Sequence, residues 1–172
     1  MVNIDEYEKF IVQYEKLIYN IAYKMFLNQE DAKDISQEVC IKIYNNFNRL
    51  KKISNIKAFV YTMTYNTCMD EFRKRKGKTT IDLQEMPETA DSEKNPEEKF
   101  IENEKNNNIY NAMNDLSPEH RAYIILRDIE GLSYSEVSAV MGINIGTVKS
   151  GISRARNNLK KIIVKKGKEN FF

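Results

Sequence analysis

Residues 131–161, GLSYSEVSAVMGINIGTVKSGISRARNNLKK, constrain the fold of this chain more than any other stretch. The apolar residues of its second half recur at helical spacing and predict one buried stripe: Val148, Ile152, Ala155 and Leu159. Asn144 precedes this helix, and its side chain can accept hydrogen bonds from the first free backbone N–H groups. The opposite side is polar and basic, with Lys149, Ser150, Ser153, Arg154, Arg156, Asn157, Lys160 and Lys161. One face is therefore predicted to pack into a core, while the other carries donors and cations.

A shorter helix is predicted just before this one. Residues 133–136, SYSE, form a capping box, and Val137, Val140 and Met141 follow as a short apolar face. Gly142 ends the helix and allows a tight turn, so the whole segment predicts a helix-turn-helix. The second helix of such a unit fits the major groove of duplex DNA. The alternative is a helical hairpin with a merely solvated basic face, but the cap, the glycine turn and the one-sided charge together favour DNA binding.

Composition supports an all-α chain. Of 172 residues, 41% are hydrophobic and 30% charged, only six are Gly and three Pro, and no stretch alternates as a strand would. The net charge of +2 conceals two basic blocks, 42–76 and 149–168, separated by the acidic residues 82–98. This distribution predicts two nucleic-acid contacts on one chain. The sequence begins with no signal-peptide pattern, and no apolar run is long enough to cross a membrane.

Catalysis and metal binding are not predicted. Cys40 and Cys68 show no metal-ligand spacing and lie within helical patterns, which predicts buried free thiols and a reducing, cytoplasmic compartment. His120 has no nucleophile placed to use it, and the carboxylates are spread over helix faces and the acidic stretch. No cofactor site is expected.

Three helices are predicted in the first half, over residues 4–26, 30–48 and 56–75. The second has an apolar face formed by Ala32, Ile35, Val39, Ile43 and Phe47. Another side of it groups Asp34, Gln37, Glu38 and Ile41 at offsets of three, four and seven. An isoleucine ringed by polar groups is typical of a partner surface, although a solvated acidic face remains the simpler alternative.

The third helix has two contrasting sides. Its predicted buried stripe consists of Tyr61, Tyr65, Cys68 and Phe72. The far side mixes apolar, amide and charged groups, namely Phe59, Met63, Asn66, Asp70, Arg73 and Lys74. Single-stranded DNA would use such a face for stacking, base-edge contacts and backbone attraction. A three-helix core covered on two sides explains the same pattern equally well.

Two small helical domains are predicted, at 1–76 and 99–172. Residues 77–98, GKTTIDLQEMPETADSEKNPEE, are polar and acidic without sustained periodicity, and predict a flexible linker. A helix over 99–116 follows, and then Ser117 and Pro118 begin another helix that ends at Gly131.

Several segments, taken in order, resemble the extracytoplasmic-function (group 4) sigma factors of the sigma-70 family, which direct bacterial RNA polymerase to promoters. Residues 31–39, DAKDISQEV, resemble the segment that binds core polymerase. Residues 58–62, 66–67 and 70–73 (AFVYT, NT and DEFR) resemble the segment that melts and reads the −10 element. Residues 116–119, 126–134 and 146–150 (LSPE, LRDIEGLSY and GTVKS) resemble the domain that reads the −35 element as duplex.

This resemblance implies roles for individual residues. Those expected to bind the clamp coiled coil of the largest polymerase subunit are Asp31, Asp34, Gln37, Glu38 and Ile41. Those expected at the −10 element are Arg49, Lys51, Lys52, Asn55, Phe59, Met63, Asn66, Asp70, Arg73 and Lys74. Those expected at the −35 element are Ser133, Tyr134, Thr147, Lys149, Ser150, Ser153, Arg154 and Arg156. The polymerase flap is a further expected contact, and an anti-sigma protein is the leading expected regulator.

Two positions depart from the family pattern. Position 151 is Gly where Arg is usual, which is expected to remove a cation from the reading helix and to weaken that helix by about 1 kcal/mol relative to Ala. Phe59 stands where Trp is common. The main alternative function is a stand-alone DNA-binding regulator, which leaves the first three helices unexplained. An enzyme acting on nucleic acid would need a metal or nucleophile cluster that the sequence lacks.

Overall fold

A computed structural model describes residues 1–79 and 104–169, and these ranges contain seven α-helices and no strand. Three long helices form the first half: α1 (Ile4–Phe26), α2 (Gln29–Leu50) and α3 (Ile56–Thr79). The second half contains α4 (Glu104–Asn114), α5 (Pro118–Tyr123), α6 (Tyr134–Met141) and α7 (Ile145–Glu169), with a π-helical turn over Ile124–Ile129 directly after α5. The all-α prediction is confirmed.

Polar side chains cap the starts of several helices, and the caps predicted at Ser117 and Ser133 are among them. The side chain of Asn3 caps α1 and that of Asn28 caps α2, while Ser117 caps α5. The predicted capping box of α6 is present, since Ser133 Oγ accepts from the Glu136 backbone N–H and the Glu136 carboxylate accepts from that of Ser133. Gly142 ends α6 with a φ of 67°, which a residue without Cβ adopts at little cost.

The predicted buried stripes of α2 and α7 are confirmed, whereas in that of α3 Tyr65 and Phe72 are only half-buried. The inward residues of α2 are all buried, as are Val148, Ile152 and Ala155 of α7, with Leu159 partly buried. Cys68 is buried and Cys40 half-buried, both as free thiols. Helix α3 continues to Thr79, so the first three residues of the predicted 77–98 linker are helical. The rest of that linker, and Phe172 with the two residues before it, lie outside the described residues.

The two halves pack against each other, with α3 against α6 and the end of α1 against α5 and the π-helical turn. Their buried side chains belong to one continuous core. The guanidinium of Arg121 is buried at this contact and donates to the carbonyl oxygens of Met25 in α1 and of Met113, Asn114 and Leu116. These bonds satisfy a buried cation that would otherwise be costly.

Candidate polymerase and nucleic-acid surfaces

The acidic face of α2 is accessible. We call Asp34, Gln37, Glu38 and Ile41 the α2 face; Ile41 is 56% exposed, and Asp34 and Gln37 project into solvent. Glu38 pairs with Lys42 at 2.8 Å, and Lys42 also donates to Thr67 Oγ1 of α3 at 3.1 Å. The face therefore presents one apolar side chain among carboxylate and amide groups, held on a rigid helix.

Asp31 behaves differently from the α2 face. Its carboxylate accepts two hydrogen bonds from the Arg75 guanidinium, at 2.7 and 3.1 Å. Arg75 also pairs with Glu71 and lies 5.0 Å from the ring of Phe26, which holds the end of α3 against the start of α2. The Asp31 carboxylate raises the pKa of Arg75. Asp31 is thus part of an internal ion pair in this structure, which the sequence did not reveal.

The α2–α3 loop and α3 carry the residues predicted for the −10 element. Arg49, Lys52, Asn66, Arg73 and Lys74 are exposed, as predicted for a nucleic-acid surface. Three other predicted residues already have internal partners. Lys51 pairs with Glu6, Asp70 pairs with Arg73 at 2.7 Å, and Asn55 Oδ1 accepts from the Ala58 backbone N–H at 3.0 Å. Asn55 therefore helps to begin α3, whatever else it binds.

The prediction that Phe59 and Met63 lie on a fully exposed far side is wrong. Both are half-buried and pack against the core. A single-helix pattern cannot report which neighbouring side chains pack against these two residues.

Helix α7 presents the predicted basic face. Thr147, Lys149, Ser150, Ser153 and Arg154 are all exposed. Asn144 caps the helix, since its Oδ1 accepts from the Gly146 backbone N–H at 2.7 Å. Polar groups thus line the outside of a helix whose inner face is closed by the core, an arrangement that suits insertion into a major groove.

Three neighbouring predicted residues have structural partners. The Ser133 hydroxyl is used in the α6 cap, and Arg156 forms a bidentate ion pair with Asp128. The Tyr134 ring lies between two cations, with Arg127 at 4.7 Å and Lys149 at 5.9 Å from its centroid.

The expectation for position 151 needs correction. Gly151 is buried and faces the ring of Tyr123, so it belongs to the inner side of α7 and not to its basic face. Its small size is required by a neighbouring ring, as developed below. Sequence reasoning placed Tyr61 in a buried stripe but missed its contact with Glu130, and it missed Lys24 and Glu130 altogether, because isolated polar residues leave no periodic signal.

Comparison with known proteins agrees with this geometry. Residues 10–78 match the family model for sigma-70 region 2, and residues 106–159 match that for sigma-70 region 4. The chain belongs to the sigma-70 family of RNA polymerase sigma factors. The matched ranges contain the α2 face, the α2–α3 loop and the helix-turn-helix of this sigma factor.

Curated relatives are extracytoplasmic-function (ECF) and related sigma factors. The chain is 31% identical over 167 residues to the ECF sigma factor SigE of Mycolicibacterium smegmatis, covering 95% of this chain and 63% of SigE. It is 28% identical to the ECF sigma factor SigW of Bacillus subtilis, covering 91% and 88% of the two chains. It is 26% identical to YlaC of the same species, covering 98% of both.

A solved structure of similar fold is the sigma factor RpoE of Bartonella quintana in complex with the anti-sigma factor NepR. It matches with a TM-score of 0.76 and 25% identity, over 92% of this chain and 96% of that one. The structure of CnrH with the cytosolic domain of CnrY shares the fold at a TM-score of 0.66 and 16% identity. Within the described ranges, no helix is long and apolar enough to span a membrane, and no acidic, His or Cys cluster could hold a metal ion.

Proposed function

We propose that this sigma factor binds core RNA polymerase in the cytoplasm and directs initiation at a defined set of promoters. It reads the −35 element as duplex through α7 and the −10 element as melted single strand through the α2–α3 loop and α3. One observation carries this proposal: the same chain has an exposed α2 face suited to a protein partner and a helix-turn-helix whose cations lie on one side. The bond-forming chemistry belongs to the polymerase.

Polymerase binding is assigned to the α2 face. Ile41 supplies an exposed apolar contact, and Asp34, Gln37 and Glu38 surround it with acceptors. An apolar centre with a polar rim is the usual anatomy of a protein interface. The proposed partner is the clamp coiled coil of the largest subunit, which should present cationic groups to these carboxylates. Asp31 supports the same surface indirectly, by fixing α2 to α3 through Arg75.

Binding of the −10 element is assigned to the exposed cations and amides next to the α2–α3 loop. Arg49, Lys52, Arg73 and Lys74 can hold the strand backbone, and Asn66 can bond to a base edge. Phe59 and Met63 supply partly accessible apolar surface for a base separated from its neighbours.

Binding of the −35 element is assigned to the exposed side of α7. Ser150, Ser153 and Arg154 are proposed to bond to base edges, and Thr147 and Lys149 to phosphates, since all five side chains are exposed. Arg156 is proposed to contact a phosphate, either with its ion pair to Asp128 intact or after that pair has broken. The polymerase flap and an anti-sigma protein are proposed as further partners, the latter by analogy with the RpoE–NepR complex.

Run-off transcription tests the proposal directly. Purified bacterial core polymerase is incubated with a pool of promoter fragments, with and without this protein. We expect initiation at a distinct subset of start sites that share sequence near −35 and −10. Binding to DNA without binding to core polymerase, and without new start sites, would instead indicate a stand-alone regulator.

A further inference from the structure

Gly151 and Tyr123 form an unusually close contact between α7 and α5. A Cβ atom built on Gly151 would lie 2.4 Å from Cζ, 2.5 Å from Cε2 and 2.6 Å from the hydroxyl oxygen of Tyr123. Such distances are far inside van der Waals contact, so no other residue fits at 151 while this ring keeps its place. The ring cannot easily leave, because Tyr123 is 1% exposed and surrounded by the core.

Within the described ranges the fully buried Tyr123 hydroxyl has no partner of good hydrogen-bond geometry, and the nearby Glu119 carboxylate acts on it mainly through its charge. An unpaired buried hydroxyl is unfavourable, so hydrogen bonding does not explain this ring position. What the ring does provide is a flat surface against the α7 backbone at Gly151, a buried position of α7 that has no side chain. The separation of two packed helices depends on the side chains between them, and here that separation is set by Tyr123 and Gly151.

This contact lies directly behind the proposed reading residues. Ser150, Ser153 and Arg154 fall within three positions of Gly151 and point to solvent. Burial and the Glu119 carboxylate raise the pKa of Tyr123, and the positive charge of Arg154 opposes that rise, so the phenol lies in the field of both side chains. Because a helix moves as a rigid body over one turn, a displacement at Gly151 displaces these side chains too. Base-edge hydrogen bonds depend on placement to about 0.5 Å.

We infer that Tyr123, seated on Gly151, is a positioning residue that sets upstream base preference without touching DNA. The inference rests on the proposed −35 role of α7. In this chain position 151 is Gly where the family usually has Arg. The contact of Gly151 with the Tyr123 ring positions the exposed residues of α7.

Five full-length proteins test the inference as holoenzymes with core polymerase: wild type, Gly151→Ala, Tyr123→Phe, Tyr123→Leu, and Gly151→Ala with Tyr123→Leu. Each is used to select from promoters randomised at the −35 element, and thermal unfolding is recorded in parallel. We expect Gly151→Ala and Tyr123→Leu each to change the ratio of preferred to disfavoured bases by about fivefold or more. Tyr123→Phe keeps the ring and should keep the wild-type preference. The double variant, which makes room for the new methyl group, should recover part of that preference.

The readout separates positioning from simple stability. Losses that are equal on all sequences and follow the unfolding temperature would overturn the inference. If Gly151→Ala does not fold, the comparison of Tyr123→Leu with Tyr123→Phe still decides the matter. Arg154→Ala in the same selection is a control that separates the two proposals. If it alters the base preference and Tyr123→Leu does not, only the positioning role of Tyr123 is rejected. No upstream preference in any protein, wild type included, rejects the proposed −35 role itself.

Discussion

The hydroxyl of Tyr61 in α3 donates a 3.0 Å hydrogen bond to the carboxylate of Glu130, the residue that precedes Gly131 and α6. The other carboxylate oxygen of Glu130 accepts from Lys24 Nζ of α1 at 3.1 Å. Burial and the Glu130 carboxylate both raise the pKa of Tyr61. One carboxylate from the second half thus ties together two helices of the first.

Glu130→Ala should loosen the two halves. The substitution leaves Lys24 and Tyr61 without their acceptor at a site where the side chains of Lys24 and Glu130 are 17% and 13% exposed. A loss of about 1–3 kcal/mol of contact free energy is expected. Small-angle X-ray scattering of the free chain should show a larger radius of gyration.

Glu30→Ala is the matched control for this comparison. Glu30 is 82% exposed and pairs only with Lys33 on its own helix, so its removal should leave the scattering curve unchanged. An identical radius of gyration for Glu130→Ala and wild type would show that Glu130 does not hold the halves together.

Charge reversal on the α2 face should abolish polymerase binding. In Asp34→Lys with Glu38→Lys, the proposed carboxylate contacts become like-charge repulsions, while the buried side of α2 is untouched. Core-polymerase pull-down measures the loss, and circular dichroism checks that the helices persist. Unchanged binding would remove the assignment of this face.

Asp31→Asn should act on stability more than on the interface. The change weakens a bidentate pair with Arg75 in which the Asp31 and Arg75 side chains are 26% and 46% exposed, so solvent screening limits the effect to about 1 kcal/mol. We expect a lower unfolding temperature with polymerase affinity reduced much less than in the double reversal. A loss of binding as severe as that of the double reversal would place Asp31 in the interface.

Arg154→Ala should weaken promoter binding by about 1–3 kcal/mol and relax base choice upstream. Arg156→Ala is the comparison, since Arg156 is paired with Asp128 and is proposed to contact a phosphate. Its loss should lower affinity on all sequences alike and reduce the salt dependence by about one phosphate contact. Holoenzyme binding to matched and mismatched −35 sequences measures both, and a uniform effect of Arg154→Ala would assign it to a phosphate instead.

The two thiols should differ in reactivity. Burial raises the pKa of Cys68 to about 12. Burial also raises the pKa of Cys40, but this thiol is only half-buried and stays partly accessible. The thiolate is the reactive form, so at pH 8 iodoacetamide should modify Cys40 slowly and Cys68 only after unfolding. Mass spectrometry of the alkylated native protein checks the order, and Cys68 labelled first would contradict the described packing.

Periodic features of the sequence predicted most of the fold. The apolar stripe of α7 and the capping box at Ser133 were visible because helical spacing and local hydrogen bonding repeat within a few residues. The Asp31–Arg75 pair and the burial of Phe59 were not visible, since both depend on tertiary packing, and the pair joins residues 44 positions apart. Gly151 was misassigned for the same reason: its requirement comes from Tyr123, on another helix.

The contacts at Glu130 limit the distance between two DNA elements that the packed halves can contact at once. The −35 and −10 elements are named for their positions relative to the transcription start, so they lie about 25 base pairs apart. That separation is about 85 Å of duplex. A compact body of about 145 residues has a radius of gyration of only about 15 Å. On the proposed function, the two halves as packed in the described residues cannot contact both elements at once.

On the proposed function, closure of the two halves would compete with binding to a promoter that carries both elements. If only one molecule in a hundred is open, the apparent dissociation constant for an extended site is about a hundredfold weaker than the intrinsic one. A substitution that breaks the Glu130 contacts would then tighten binding to such a promoter without adding a single contact, and stability and affinity would change in opposite directions.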